Sequence, residues 1–319
     1  MKKHPFKYLF GPVPSRRFGR SLGVDLIPFK TCTLDCTFCE CGHTTMHTAE
    51  RKAWVPADAI IAELECWLEE DGQADVITLA GSGEPTLNTE FGKVLQFLRK
   101  QTDFTTVILT NGTLLYLPEV RADAAQAHIV KVTMSVWDED SFRKLHHPAD
   151  GISFEKLIHG EQAFRRIFEG ELWVEVFVVA GINDSDEAIR RIGSHVATLE
   201  PDRIHLNTAV RPPADPNIKP LGAHRMAELA RILGPNAEVA ARFSSLETAD
   251  YRVNEDRLLD ILKRRPCTAE QLAEGFNMHT TEVSKYLGDL LQKGILSEEE
   301  RDGMSYFTVR RDPGGQIGS

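Results

Sequence analysis

Apolar residues recur along positions 56–207 in two alternating rhythms. One has a helical period: Ile60, Ile61, Leu64, Trp67 and Leu68 within 56–71, then Phe91, Val94, Leu95 and Leu98, then Phe154, Leu157, Ile158, Phe164 and Ile167. Asp184, with Glu187 three residues on, reads as the capped start of a further helix. Between these stripes lie short apolar runs ending in glycine, asparagine or serine, at 75–81, 105–112, 129–136, 172–181 and 202–207. Such runs suit strands buried on both faces of a parallel sheet. With one more strand before the cysteine-rich loop that follows residue 30, the pattern predicts six strands by position 207. Repeated βα units of this kind predict an α/β fold, an open and partial (β/α)6 barrel.

The pattern changes near residue 250. Helices are predicted over 256–264, from 266 onward and over 280–294, followed by an acidic hairpin turning at Asp302-Gly303 and returning through 305–309. Helix, helix-turn-helix and two-stranded wing resemble a winged-helix domain. The expected division is a core over 1–250 with a basic N-terminal extension, a winged-helix module over 251–311 and a disordered tail over 312–319. A module with its own small core is expected to detach without unfolding the barrel. Residues 254–311 hold nine cations against eleven anions, and Glu298-Glu299-Glu300 falls in the wing. That balance argues against duplex DNA and for protein or peptide recognition, or dimerisation.

Length and charge narrow the class. A chain of 319 residues suggests about two domains. A net charge of −10 disfavours a generic nucleic-acid binder. Residues 1–30 nonetheless carry Lys2, Lys3, Lys7, Arg16, Arg17, Arg20 and Lys30 against only Asp25. That segment suits a phosphate, a carboxylate or RNA, or is a solvated basic arm. No apolar run approaches the roughly 20 residues of a membrane span, and the first residues lack a signal-peptide core. Six cysteines, three of them clustered, do not read as a disulfide framework, so a reducing cytoplasm is the expected location.

The clustered thiols carry the chemistry. Cys32, Cys36 and Cys39 have C-x3-C-x2-C spacing, and Phe38 precedes the third. Three thiolates on one loop can hold three corners of a [4Fe-4S] cube and leave the fourth iron open. A zinc knot is the alternative, with Cys41, His43 or His47 as fourth ligand. The spacing and the aromatic residue resemble the signature of the radical S-adenosylmethionine (radical SAM) superfamily. The resemblance implies one [4Fe-4S] cluster whose free iron chelates S-adenosyl-L-methionine. It further implies an external one-electron donor of flavodoxin or ferredoxin type, and reductive cleavage of SAM to a 5′-deoxyadenosyl radical that abstracts hydrogen from the substrate.

Other positions are similar to that superfamily's motifs at strand carboxyl ends. Gly81, Ser82, Gly83 and Glu84 stand where the family holds SAM's amino group, with Gly81 and Gly83 allowing close backbone approach and Glu84 accepting from the ammonium. Thr110-Asn111-Gly112 is a second recurring feature. Ser135 or Asp138 stands at the ribose position, Gly181 within 178–183 at the adenine cradle, and Asn207 closes the set. The opening Gly11-Pro12-Val13-Pro14-Ser15-Arg16-Arg17, with Gly81–Thr86 and 206–213, resembles a bacterial and archaeal family of Fe-S oxidoreductases grouped with wyosine-tRNA synthases. No cysteine precedes Cys32, whereas those synthases look to build a second cluster from extra N-terminal cysteines.

The implied function is a radical SAM enzyme acting on an unidentified small molecule or peptide, with Arg16, Arg17, Arg20 and Arg211 as anion contacts. Alternatives are a tRNA- or RNA-modifying enzyme and a zinc-bearing winged-helix regulator. Cys66 reads as a packed helix thiol, Cys267 as structural, and Cys41 as a loop thiol, hydrogen-atom donor or substrate contact. His146 and His147 read as a loop pair or part of a substrate loop.

Overall fold

The computed structural model describes residues 6–15, 18–70, 72–209, 213–240, 255–276, 280–301 and 304–310. Strands β1 (Leu9–Ser15) and β2 (Gly19–Asp25) form a hairpin, and the short β3 (Thr31–Cys32) and β4 (Met46–His47) bracket the cysteine loop. Alternation then begins with α1 (Ala57–Glu69), β5 (Val76–Ala80), a 3-10 turn (Pro85–Leu87), α2 (Phe91–Gln101), β6 (Thr105–Leu109), α3 (Pro118–Ala124) and β7 (Ile129–Thr133). It continues through α4 (Glu139–His146), α5 (Phe154–Arg165), β8 (Glu171–Phe177), α6 (Asp186–Ala197), β9 (Arg203–Asn207), α7 (Ala223–Leu233) and β10 (Ala237–Val239).

The main sheet runs β1-β2-β5-β6-β7-β8-β9-β10, antiparallel only at β1–β2. The six expected strands are β2, β5, β6, β7, β8 and β9. Strands β1 and β10 extend the two edges and were not expected. The sheet is strongly curled. Phe18, just before β2, stacks on Trp173 of β8 with ring centroids 4.7 Å apart. Four strand spacings would separate β2 from β8 by about 19 Å in a flat sheet. Strand alternation puts polar pairs on the inner face: Ser21 with Thr78 at 2.7 Å, and Lys131 with Glu175 at 2.8 Å. The outer face is sealed by the apolar stripes of the helices, with Ile60, Leu64, Phe91, Leu95, Phe142, Leu157, Phe164 and Ile189 fully buried.

Local details depart from the sequence pattern. The cap of α6 is Ser185, whose hydroxyl accepts from the Ala188 N–H at 3.1 Å, rather than Asp184. Cys66 is exposed, because α1 turns Ile60, Leu64 and Trp67 inward and leaves the neighbouring position in solvent. Ile167 lies past the end of α5 and is 51% exposed. Among the described residues no helix is long and apolar enough to cross a membrane.

Helix α5 buries an ionisable group without a partner. Glu161 is 1% exposed, and neither carboxylate oxygen has a hydrogen-bond partner among the described residues. Burial raises its pKa well above the ordinary value of 4.5. The unfolded chain releases this proton near 4.5, so the stability contributed by the buried neutral acid is complete below that pH. It is lost as pH rises toward the folded pKa. Glu161→Met is therefore expected to stabilise the protein by about 1–3 kcal/mol at pH 8 and by clearly less at pH 4. Thermal melts across that range check the sign, and a pH-independent gain would refute it.

The C-terminal elements are α8 (Glu255–Arg264), α9 (Ala269–Phe276), α10 (Thr280–Gln292), β11 (Leu296–Arg301) and β12 (Met304–Val309). Thr268 caps α9 in a reciprocal box with Gln271, so the buried Cys267 precedes the helix. Leu258, Leu262, Leu272, Val283, Leu287 and Phe307 form a separate apolar cluster. The expected boundary near residue 250, the turn at 302–303 and the tail after 310 lie outside the described residues. This unit is latched to the sheet. Arg264 Nη2 lies 2.7 Å and Nε 2.9 Å from Asp25 Oδ2, at the carboxyl end of β2, and its guanidinium covers the Phe10 ring at 4.0 Å. Arg301 Nη2 donates to the carbonyls of Pro216 and Ile218 at 2.8 and 3.0 Å.

Candidate active site

The cysteine loop leaves the carboxyl end of β2 and is anchored to the end of α4. The N–H groups of Asp35 and Thr37 donate to the His146 and Leu145 carbonyls, each at 3.0 Å, which satisfies groups that a helix end leaves unpaired. Asp35 accepts from the Thr44 N–H at 2.7 Å and faces His43 Nδ1 at 3.2 Å, so His43 turns toward Asp35. Phe38 stacks on Phe177, with ring centroids 4.1 Å apart and planes 14° apart, and meets the His146 ring edge-on.

Each of the three cysteine sulfurs faces a side-chain nitrogen from a different segment. Asn111 Nδ2 lies 3.6 Å from Cys32 Sγ, His146 Nδ1 3.0 Å from Cys36 Sγ, and Lys30 Nζ 3.2 Å from Cys39 Sγ. Burial, with the Glu84 carboxylate, pushes the Cys32 thiol up to about 12, and burial lifts Cys36 well above the ordinary range. Hydrogen bonding from Cys41, aided by the Lys30 charge, brings Cys39 down to about 6. Burial holds the His146 imidazole down at about 3, so it is neutral at ordinary pH. Thiols placed this way ionise together only when a bound cation takes over their protons' role. The donor set therefore fits a metal cluster. Among the described residues no three His, Cys, Asp or Glu side chains converge on a single-ion site.

The Gly81–Glu84 loop follows β5. Any side chain at Gly81 (φ 144°) would strike the Asp25 carboxylate, and one at Gly83 would strike the Thr31 carbonyl. Both glycines thus admit the protein's own chain, where the sequence suggested approach of a ligand. The Ser82 carbonyl accepts from the Lys30 N–H at 3.1 Å, joining this loop to the cysteine loop. Glu84 is 1% exposed. Its Oε1 accepts from the Thr86 N–H (3.0 Å), the Thr86 hydroxyl (2.6 Å) and the Thr110 hydroxyl (2.7 Å), and its Oε2 from the Asn111 N–H (2.7 Å). Three donors fill Oε1, while Oε2 keeps capacity for a further one.

The remaining predicted positions sit at neighbouring strand ends. The buried Ser135 hydroxyl accepts from the Phe177 N–H at 2.8 Å. Asp138 caps α4 and pairs with Arg191 at 3.0 Å, so its carboxylate already has partners within the protein. Asn183, fully buried, donates to the Ser135 and Phe177 carbonyls and accepts from the Val179 N–H, tying the ends of β7 and β8 together. Beside Gly181 (φ 74°) there is open space. Asn207 ends β9 and is buried. Arg16, Arg17 and Arg211 lie outside the described residues. Arg20 pairs with Asp75 at 2.9 Å, and Lys30 turns inward, so neither belongs to a solvated arm.

Sequence reasoning missed α4, and with it the role of His146. The signal was present: Asp138 and Ser141 make a capping box, and His147 (φ 42°) ends the helix in the left-handed conformation.

The radical SAM superfamily family model matches residues 26–192, just over half of the chain. A UPF0026 protein of Synechocystis is 34% identical over 208 residues, covering 65% of this chain and 77% of that protein. A Brachyspira hyodysenteriae protein named GTPase Obg is 34% identical over 307 residues, 95% of this chain, yet the chain spans only 45% of that relative's length. Among solved structures, a radical SAM methyltransferase from Sphaerobacter thermophilus superposes with a TM-score of 0.51 at 18% identity, over 69% of this chain and 65% of that one, a likeness of fold. With its cysteine loop at the carboxyl end of the first parallel strand and its strand ends gathered around it, the chain belongs to the radical SAM superfamily and, within it, to the UPF0026 proteins.

Proposed function

We propose that this protein is a radical SAM enzyme that acts on a small molecule or peptide. The observation that carries the reading is the arrangement of Cys32, Cys36 and Cys39 on one loop, each sulfur facing its own nitrogen donor. These three would hold a [4Fe-4S] cluster. When bound, the cluster and SAM supply one-electron cleavage of the sulfonium to methionine and a 5′-deoxyadenosyl radical, the electron coming from a flavodoxin- or ferredoxin-type donor.

The chain's own residues position and shield. Ser82, Gly83 and Glu84 line the amino-group side, with Glu84 Oε2 free to accept from an ammonium. Asn111 bridges that loop to Cys32 and donates to Thr33 Oγ1 at 2.8 Å. Phe38 and Phe177 form an aromatic wall beside the cysteine loop. Ser135 and Asn183 hold the β7 and β8 ends at the ribose side, and Gly181 and Asn207 border the space for adenine. The C-terminal unit is read as a winged helix that recognises protein or peptide. Glu298, Glu299 and Glu300 are exposed along β11, which disfavours a duplex-DNA role.

Anaerobic reconstitution tests this reading. The wild-type protein is expected to be brown with about four irons per chain and to form 5′-deoxyadenosine from SAM with dithionite. Cys32→Ala, Cys36→Ala or Cys39→Ala should each abolish the cluster, whereas Cys66→Ala and Cys267→Ala should keep the iron. Stoichiometric zinc without iron would overturn the proposal, and a second cluster's worth of iron would favour the wyosine-synthase comparison.

A further inference from the structure

Lys30 is anomalous on three counts. Its long side chain is 2% exposed, its backbone is left-handed at φ 56°, and its ammonium meets a sulfur atom instead of a carboxylate. Left-handed backbone disfavours a residue with a Cβ. Here it is fixed from both sides: the Lys30 N–H donates to the Ser82 carbonyl, and the Lys30 carbonyl accepts from the Thr45 and Met46 N–H groups at 3.1 and 3.0 Å. The turn drives the side chain under the cysteine loop to Cys39 Sγ. Among the described residues no carboxylate pairs with it directly; Cys39 leads the groups that act on its charge, followed by Cys41 and Cys32, with Asp35 also in electrostatic reach. A buried cation whose counter-charges are thiols is costly unless those thiols carry negative charge.

We propose that Lys30, His146 and Asn111 form a cradle, one side-chain nitrogen per cysteine sulfur, that sets the reduction potential of the cluster, with Lys30 as its largest contributor. The inference rests on the cluster assignment above. Three thiolates on an oxidised [4Fe-4S] core leave a net charge of about −1, and one-electron reduction adds another negative charge in a buried setting. A fixed ammonium against Cys39 stabilises the reduced form more than the oxidised one. The imidazole of His146 and the amide of Asn111 add neutral donors at Cys36 and Cys32. Facing a thiolate, Nδ1 of His146 must carry the proton, which assigns the tautomer. Because Lys30 is also hydrogen-bonded to Ser82, the same residue links cluster potential to the loop read as the amino-group site.

The test is an EPR-monitored redox titration of the reconstituted protein without SAM, so that turnover plays no part. Lys30→Met removes the charge at similar length. It is expected to lower the equilibrium constant for reduction at least tenfold, a shift of 59 mV or more to negative potential for one electron. Lys30→Arg should recover most of that shift. His146→Phe should give a smaller negative shift, and Lys144→Met, an exposed control, none. A Lys30→Met protein with wild-type iron content and an unchanged potential overturns the proposal. If Lys30→Met takes up no iron, His146→Phe decides, and an unchanged potential there overturns it as well. Failure of the wild-type protein to bind any cluster sinks the functional reading and is distinguishable from either result.

Discussion

Arg264→Met is expected to lower the unfolding free energy by about 3 kcal/mol, the usual cost of stripping a buried charge of its partner. Both side chains of the Arg264–Asp25 pair are largely inaccessible, at 16% and 15%. Burial already holds the Asp25 carboxyl above its ordinary range against the opposing pull of Arg264, and removing the guanidinium leaves burial opposed only by the Ser82 backbone. The penalty should grow with pH. The unfolded chain ionises near 3.8, so a raised folded pKa loses stability as pH climbs above that value. Asp25→Asn combined with Arg264→Met should recover most of the loss, which urea denaturation of the two single variants and the double variant would reveal. Deleting residues from 252 onward removes Arg264 too, so the core is expected to lose stability on truncation unless Asp25→Asn is introduced with it. An undiminished truncated core would show that the latch contributes nothing.

Glu84→Ala should have two separable effects. The first is structural: the change orphans four donors, two from Thr86 and one each from Thr110 and Asn111. Even with partial access of water, a loss of about 3 kcal/mol is expected, since each unsatisfied buried group costs about 1–3 kcal/mol. The second is weaker SAM binding, through loss of the acceptor at Oε2 and release of the Asn111 turn. Thermal melts of the apo protein read the first effect, and equilibrium dialysis with SAM at matched iron content reads the second. Glu84→Gln is no neutral substitute, because its amide would confront either the Asn111 N–H or the threonine donors. Wild-type 5′-deoxyadenosine yield from Glu84→Ala at limiting SAM would remove the Gly81–Glu84 loop from the amino-group site.

The sheet was legible in the sequence because its strands are short, largely apolar runs that end in turn residues, a signal that survives without long-range information. The cysteine triad was legible for the same reason: its spacing is local. What escaped depends on contacts between distant segments. Glycines 81 and 83 look like ligand-approach positions until Asp25 and Thr31 are seen against them. Cys66 follows the helical stripe in sequence, yet a rotation of about 100° per residue carries it out of the core. His146 was read as a loop residue because α4 is only eight residues long, too short for a strong apolar period. Lys30 counted as one of seven N-terminal cations, and nothing local distinguishes it from the solvated ones.

The Asp25–Arg264 pair also sets a timetable for synthesis. The partners lie 239 residues apart. At 5–20 residues per second a ribosome needs roughly 12–48 s to cover that interval. Throughout it the carboxyl end of β2 carries an unneutralised acid, best served by water, beside the Gly81 turn. The first parallel strand to be made is thus among the last to be finished, and an incomplete nascent chain presents a Gly81–Glu84 loop whose supporting neighbour has yet to settle.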